Sequence, residues 1–255
     1  MRSTPSICAC TSVYLSMMKN ETLLTTGNPK IEKGAALGFL TNILHLAPSR
    51  LSGFNTCPMA TAGCAAGCLN TAGRGGMFRK GEDTNMIQKA RIRKTVLFFN
   101  ERTAFMVKLV KEITAAIKRA EKLDLTPVFR LNGTSDLRWE TIAVTRNNVE
   151  YTNIMLAFPE VQFYDYTKIA NRRDLPANYH LTFSLAENND VMAQKALDAG
   201  LNVAAVFRVL PATFMGRPVV NGDETDLRFL DEKNVIVGLK AKGRAKKDVS
   251  GFVRN

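Results

Sequence analysis

Cys57, Cys64 and Cys68 fall within one twelve-residue stretch, Cys-Pro-Met-Ala-Thr-Ala-Gly-Cys-Ala-Ala-Gly-Cys, with six and then three residues between them. Thiolates are soft ligands for zinc, copper or iron–sulfur clusters. Gly63 and Gly67 are expected to let the backbone turn so that the three sulfurs point inward. Three thiolates leave one coordination position for a further ligand; for zinc, His45 and Asp136 are the candidates for it. The competing reading is three buried thiols that pack as small hydrophobes. Cys8 and Cys10 stand in a poorly patterned N-terminal stretch and are expected to be incidental.

A second stretch, Arg130-Leu-Asn-Gly-Thr-Ser-Asp-Leu-Arg-Trp139, offers different chemistry. Gly133 allows a close backbone approach at a strand end, and Thr134, Ser135 and Asp136 supply two hydroxyls and a carboxylate for an amine or a ribose. The structural alternative is a helix cap at Ser135 or Asp136. Asp165 and Lys168 in Tyr-Asp-Tyr-Thr-Lys, and Ser184 with Glu187, occupy equivalent places after other strands. The candidate cofactor-binding set is therefore Asn132, Gly133, Thr134, Ser135, Asp136, Asp165, Lys168, Ser184 and Glu187, beside the three cysteines as metal ligands. Lone Trp139 is expected in the core.

Positioning these residues requires strands. Short apolar runs at 41–46, 127–131, 161–166, 179–183, 201–207 and 235–239 end in polar segments. Between them lie a helical region over 83–122, with Thr84 as its cap and a break near Asn100, and amphipathic segments over 141–157 and 190–199. Such alternation argues for a parallel sheet, since parallel neighbours need crossover connections. The polar residues that begin where strands stop would then gather at one edge. Six strands are too few for a closed eight-stranded barrel, so a partial, open barrel is expected, with a doubly wound sheet as the competing topology. The domain reading is an N-terminal arm over 1–27 and a single α/β domain over 28–255 with a basic C-terminal segment.

The formal net charge is +12. A field of that sign attracts polyanions, so it points to nucleic acid, an anionic cofactor or an acidic partner, against the alternative of a merely solvated lysine-rich surface. Lys240, Lys242, Arg244, Lys246 and Lys247 could bind phosphate or form a disordered or surface-lying basic tail. No apolar run has the length to span a bilayer. The clustered cysteines suit a reducing compartment and metal-ligating thiolates better than a set of disulfides.

From Leu24 onward the succession Thr-Gly-Asn-Pro-Lys, Cys-Pro-Met-Ala-Thr, Ala-Gly-Arg-Gly, Asn-Gly-Thr-Ser-Asp-Leu-Arg-Trp and Phe-Tyr-Asp-Tyr-Thr-Lys resembles a family of uncharacterised bacteriophage proteins. That resemblance implies a phage or prophage origin and, with it, the cytoplasm of a host cell. In architecture and placement of motifs the chain also resembles radical S-adenosylmethionine enzymes: a partial parallel (βα)6 barrel, a three-cysteine loop after the first strand, and a glycine-containing acidic motif after the second. This second resemblance implies a 4Fe-4S cluster with three irons on Cys57, Cys64 and Cys68. It implies S-adenosylmethionine bound through the fourth iron, Gly133, Thr134 and Ser135 near its amino group, and Ser184 facing its ribose or carboxylate. The expected function is an iron-sulfur enzyme of that type acting on an anionic or nucleic-acid-associated substrate. The alternative is a non-enzymatic phage module whose thiolates hold a structural zinc and whose basic tail and helices bind nucleic acid.

Overall fold

Each of the six apolar runs forms a strand, and the strands assemble into the sheet that carries the site. The computed structural model describes residues 21–27 and 29–255; Cys8, Cys10 and most of the expected N-terminal arm lie outside the described residues. In chain order the elements are β1 (Leu24–Thr25), α1 (Pro29–Ala35), β2 (Phe39–Leu44), α2 (Ala62–Ala66), α3 (Met86–Asn100), α4 (Arg102–Lys122) and β3 (Thr126–Arg130). A hairpin of β4 (Val144–Arg146) and β5 (Val149–Tyr151) follows, then α5 (Ile154–Ala157), β6 (Gln162–Thr167), β7 (Tyr179–Ser184) and α6 (Asp190–Asp198). The chain ends with β8 (Val203–Phe207), β9 (Thr213–Phe214), β10 (Arg217–Asn221), β11 (Ile236–Lys240) and β12 (Val253–Arg254).

The protein is mixed α/β with a mostly parallel sheet ordered β1-β2-β3-β6-β7-β8-β11-β10-β9. From β2 to β11 the six expected strands lie side by side in chain order, each parallel to the next. A doubly wound sheet would reverse its order at a central switch point; here the order reverses at one edge, where β10 and then β9 lie outside β11, and β12 pairs with β8 off that path. β1 and β9 add antiparallel edges.

β8 has an unusual edge. β7 pairs with its first residues, Val203 and Ala204, whereas β12 pairs with Val206 and Phe207. β11 occupies the opposite edge of β8 along its whole length, whereas β7 ends where its last residues, Phe183 and Ser184, meet the start of β8, and the last strand of the chain pairs with the remainder of that edge. The basic C-terminal segment, for which a disordered or surface-lying tail was one alternative, is thus an ordered element beside the site.

Strand alternation separates the two faces of the sheet. Phe129 and Phe163 point to the helical side and pack with Phe98, Phe105, Leu109 and Ile113, the apolar stripe of α3 and α4. Val128 and Tyr164 point the other way, under Leu227 and Phe229. Trp139 is fully buried on the helical side, as expected.

Three local expectations differ from what is found. Asn85, not Thr84, caps α3, its side chain accepting from the Gln88 N–H. The segment 141–157 forms the β4–β5 hairpin and one short helical turn rather than a crossover helix; Val144, Val149 and Tyr151 favour extended backbone, and Asn147 and Asn148 adopt the positive φ of a tight turn. No α-helix starts at Ser135 or Asp136, because Asn132 has already drawn that loop into a turn of its own.

Candidate functional site

At the C-terminal ends of the parallel strands lies a cavity of about 530 Å³, within the range of roughly 300–1,000 Å³ typical of small-molecule sites. Cys57, Cys64 and Cys68 all line it, together with the Asn132–Asp136 loop, Lys168 and Ser184. Two expected members do not line it. Asp165 lies buried beneath the Asn132 loop, and Glu187 stands behind the cysteine loop, where each holds backbone in place.

The cysteine loop is built around α2. Thr61 caps this helix, its hydroxyl oxygen accepting from the Cys64 N–H at 3.2 Å. The same hydroxyl donates to Glu187 Oε2 at 2.6 Å, and the Gly63 N–H donates to Glu187 Oε1 at 2.7 Å. Gly63 and Gly67 were expected to supply turns, but neither has a positive φ. What they supply is proximity: a Cβ on Gly63 would stand 2.1 Å from Ser250 Oγ and 2.8 Å from Phe252 Cβ, and one on Gly67 would stand 3.2 Å from Ala245 Cβ. The C-terminal segment therefore lies directly on the cysteine loop, and Ala245 and Phe252 close that wall of the cavity.

All three thiols are free. Burial pushes the Cys57 and Cys68 thiols up, while backbone N–H groups aimed at the sulfurs pull the other way. Ser49 N–H donates to Cys57 Sγ at 3.3 Å, and Asn70 N–H to Cys68 Sγ at 3.5 Å. Cys57 Sγ lies 3.8 Å from the Thr134 carbonyl, so the cysteine loop and the Asn132–Asp136 loop touch through it. Among the described residues no three His, Cys, Asp or Glu side chains are grouped to hold one metal ion. A mononuclear site needs its donors to converge on a single point. A cubane places each of three thiolates on a different iron; here the three cysteines line one cavity.

Asn132 organises the second loop. Its Oδ1 accepts from Ser135 Oγ at 2.9 Å, from the Leu137 N–H at 2.9 Å and from Trp139 Nε1 at 3.1 Å. Its own N–H donates to Asp165 Oδ1 at 2.7 Å. Gly133 then passes against β2, its N–H bonded to Leu44 O at 2.9 Å, where a Cβ would lie 2.8 Å from that same carbonyl. Thr134 donates its hydroxyl to Leu46 O. Asp136 accepts from Thr167 Oγ1 at 2.8 Å and from the Lys168 N–H at 2.7 Å, which commits it to the end of β6. Lys168 extends its ammonium to Ser184 Oγ at 2.8 Å.

Burial pushes the Asp165 carboxyl up to about 7, with the Arg130 charge, the Asn132 N–H and the Tyr179 hydroxyl pulling it back down. A carboxyl that holds its proton more tightly folded than unfolded stabilises the fold at low pH, and that contribution is lost as the pH rises from about 4 to about 7. His45, pushed down to about 3 by burial and then by the Arg91 and Arg130 charges, acts in the opposite sense, its contribution disappearing as the pH falls from 6.5 toward 3. The two slopes offset one another in the wild type. The stability difference between Asp165→Asn and wild type isolates one of them: urea unfolding at several pH values should show it changing steeply between pH 4 and 7. A difference that is the same at every pH would contradict this account of Asp165.

The cavity-lining side chains to which sequence reasoning assigned no role include those of Arg91, Arg130, Tyr166, Asp226 and Phe252. Arg130 and Tyr166 were accessible to it, because strand alternation places Arg130 on the same face as Val128, and Tyr166 on the same face as Tyr164 and Lys168. Arg91 and Phe252 carried no comparable signal; their place depends on how α3 and the C-terminal segment pack.

A family model described as gene product 88 matches residues 15–255. No curated protein and no solved structure matches the chain.

Proposed function

The chain belongs to the gene product 88 family, a phage-type family, and we propose that it is an iron-sulfur enzyme of the radical S-adenosylmethionine kind. The observation that carries this reading is that three free thiols from one short loop line a single cavity with the polar ends of consecutive parallel strands. On this reading the strands β2 to β11 form a partial parallel (βα)6 barrel.

Cys57, Cys64 and Cys68 would hold three irons of a 4Fe-4S cluster through deprotonated sulfurs, and the N–H groups of Ser49 and Asn70 would stabilise the sulfur charge on Cys57 and Cys68. When bound, such a cluster supplies the electron that reductively splits S-adenosylmethionine, giving a carbon radical able to abstract hydrogen from a substrate. The protein's part is binding and exclusion. The Asn132–Asp136 loop bounds the side where the cofactor's amino group would lie, and Lys168, held by Ser184, presents a cation to its carboxylate. Phe252 and the C-terminal segment keep water from the cysteine wall.

Protein purified without oxygen should be brown and contain about four irons and four sulfides per chain, as the cubane requires. Given S-adenosylmethionine and a strong reductant, it should release 5′-deoxyadenosine. The alternative, a structural zinc with nucleic acid on the basic surface, predicts colourless protein with one zinc and salt-dependent nucleic-acid binding. A fully folded chain that carries zinc and takes up neither iron nor the cofactor would exclude the enzyme reading.

A further inference from the structure

One end of the cavity carries two guanidinium groups and one carboxylate, that of Asp226, so that one of the two positive charges has no carboxylate partner among the described residues. Arg91 reaches it from α3, His45 from just beyond β2, Arg130 from the end of β3 and Tyr166 from β6. The Arg91 guanidinium donates from Nη1 to the Asn70 side-chain oxygen at 2.6 Å, and its partner is thus a neutral amide. Its Nε is buried without a partner, and among the described residues no carboxylate pairs with it. Arg130 is different in that Nη1 meets Asp226 Oδ2 at 2.8 Å. Its guanidinium also lies 4.7 Å over the Tyr166 ring, yet both its Nε and the Tyr166 hydroxyl are buried with no hydrogen-bond partner.

Withdrawing a guanidinium from water is costly unless an opposite charge or a full set of hydrogen bonds compensates. A buried hydroxyl without a partner adds to that cost. Three unpaired polar atoms around one end of a cavity are the pattern left where a ligand completes the bonding. His45 reports the local field. It stays neutral between the two arginines, so it can share a hydrogen bond without adding charge.

We propose that His45, Arg91, Arg130 and Tyr166 form an oxyanion subsite that takes a phosphate or carboxylate group of the substrate, with Arg91 as the principal charge partner. Arginine suits both groups because its planar fork matches two oxygens at once. The subsite is distinct from the Lys168–Ser184 pair assigned to the cofactor. Only the identification of the bound anion as substrate rests on the enzyme reading; the subsite itself needs no cluster.

The test is titration calorimetry on the full chain, before and after anaerobic reconstitution, with inorganic phosphate and with malonate as probes and ionic strength fixed by chloride. One saturable site per chain is expected for at least one probe, and the probe preferred separates a phosphate from a carboxylate substrate. Arg91→Gln should weaken binding at least tenfold, Arg91→Lys should restore part of it, and Tyr166→Phe should weaken it by a smaller factor, with circular dichroism unchanged in each. Absence of saturable binding for both probes, or equal binding by wild type and by Arg91→Gln and Tyr166→Phe, would overturn the proposal. Anion binding by a chain that takes up no iron would refute the cluster and leave the subsite standing; iron uptake without anion binding would do the reverse.

Discussion

Asn132→Ala should destabilise the protein by roughly 2–6 kcal/mol, at about 1–3 kcal/mol for each of two buried donors left without an acceptor. The Leu137 N–H and the Trp139 indole N–H both lose their acceptor, and neither can turn to another, since one is backbone and the other belongs to a fully buried ring. The Ser135 hydroxyl also loses its acceptor but can rotate. Against a total stability of about 5–15 kcal/mol such a loss is large. Asn132→Asp preserves the acceptor but sets a second carboxylate beside Asp165, whose two oxygens already face the Asn132 amide and N–H. Its defect should therefore be smaller at pH 5 than at pH 8. Urea midpoints measure both variants. A midpoint for Asn132→Ala equal to that of wild type would show that the loop does not depend on this side chain.

The role of Asn132 illustrates what could be read in advance. The strand-end position of Asn-Gly-Thr-Ser-Asp was legible because Pro127 to Leu131 is apolar and then stops. Its placement beside the cysteine loop followed from parallel pairing, and both now line one cavity. The division of labour within the motif was not legible. Asn132 and Asp165 meet across the ends of β3 and β6, a contact set by register; Asn132 lines the cavity while bracing its own loop, and Asp165 supports that loop from beneath without reaching the surface. Glu187 is a similar case: an acid soon after a strand suggested a ligand contact, but α2 lies close enough to use both its oxygens. The C-terminal segment was misjudged for a different reason. Its lysines dominate its composition, whereas its position is decided by Ala245, Phe252 and Val253, which are buried against the cysteine loop and β8. Local patterns specify elements and their order; which polar group faces the cavity depends on long-range contacts that no local pattern contains.

Cys57→Ala, Cys64→Ala and Cys68→Ala should each lower iron from about four per chain to below one and remove the visible absorption, while leaving the fold nearly as stable as before. Retention of the fold is the informative half. Without metal the three cysteines are small side chains at a cavity wall, each only partly buried, and losing one sulfur from such a place costs about 1 kcal/mol, near the value for one buried methylene. The loop is held by contacts that do not involve the sulfurs, chiefly Glu187 with Thr61 and Gly63, and the C-terminal segment packed on both glycines. A structural zinc would behave in the opposite way, because its binding free energy is itself folding free energy and loss of a ligand would unfold the domain. Serine at these positions offers a hard oxygen in place of a soft sulfur and should also fail to retain iron. Iron content, absorption and thermal midpoint, measured together on the three alanine variants, therefore separate the two kinds of centre. A fall in midpoint shared by all three with no change in iron would remove the cysteines from any cluster, whereas loss of iron at a constant midpoint is the result that a preformed cavity requires.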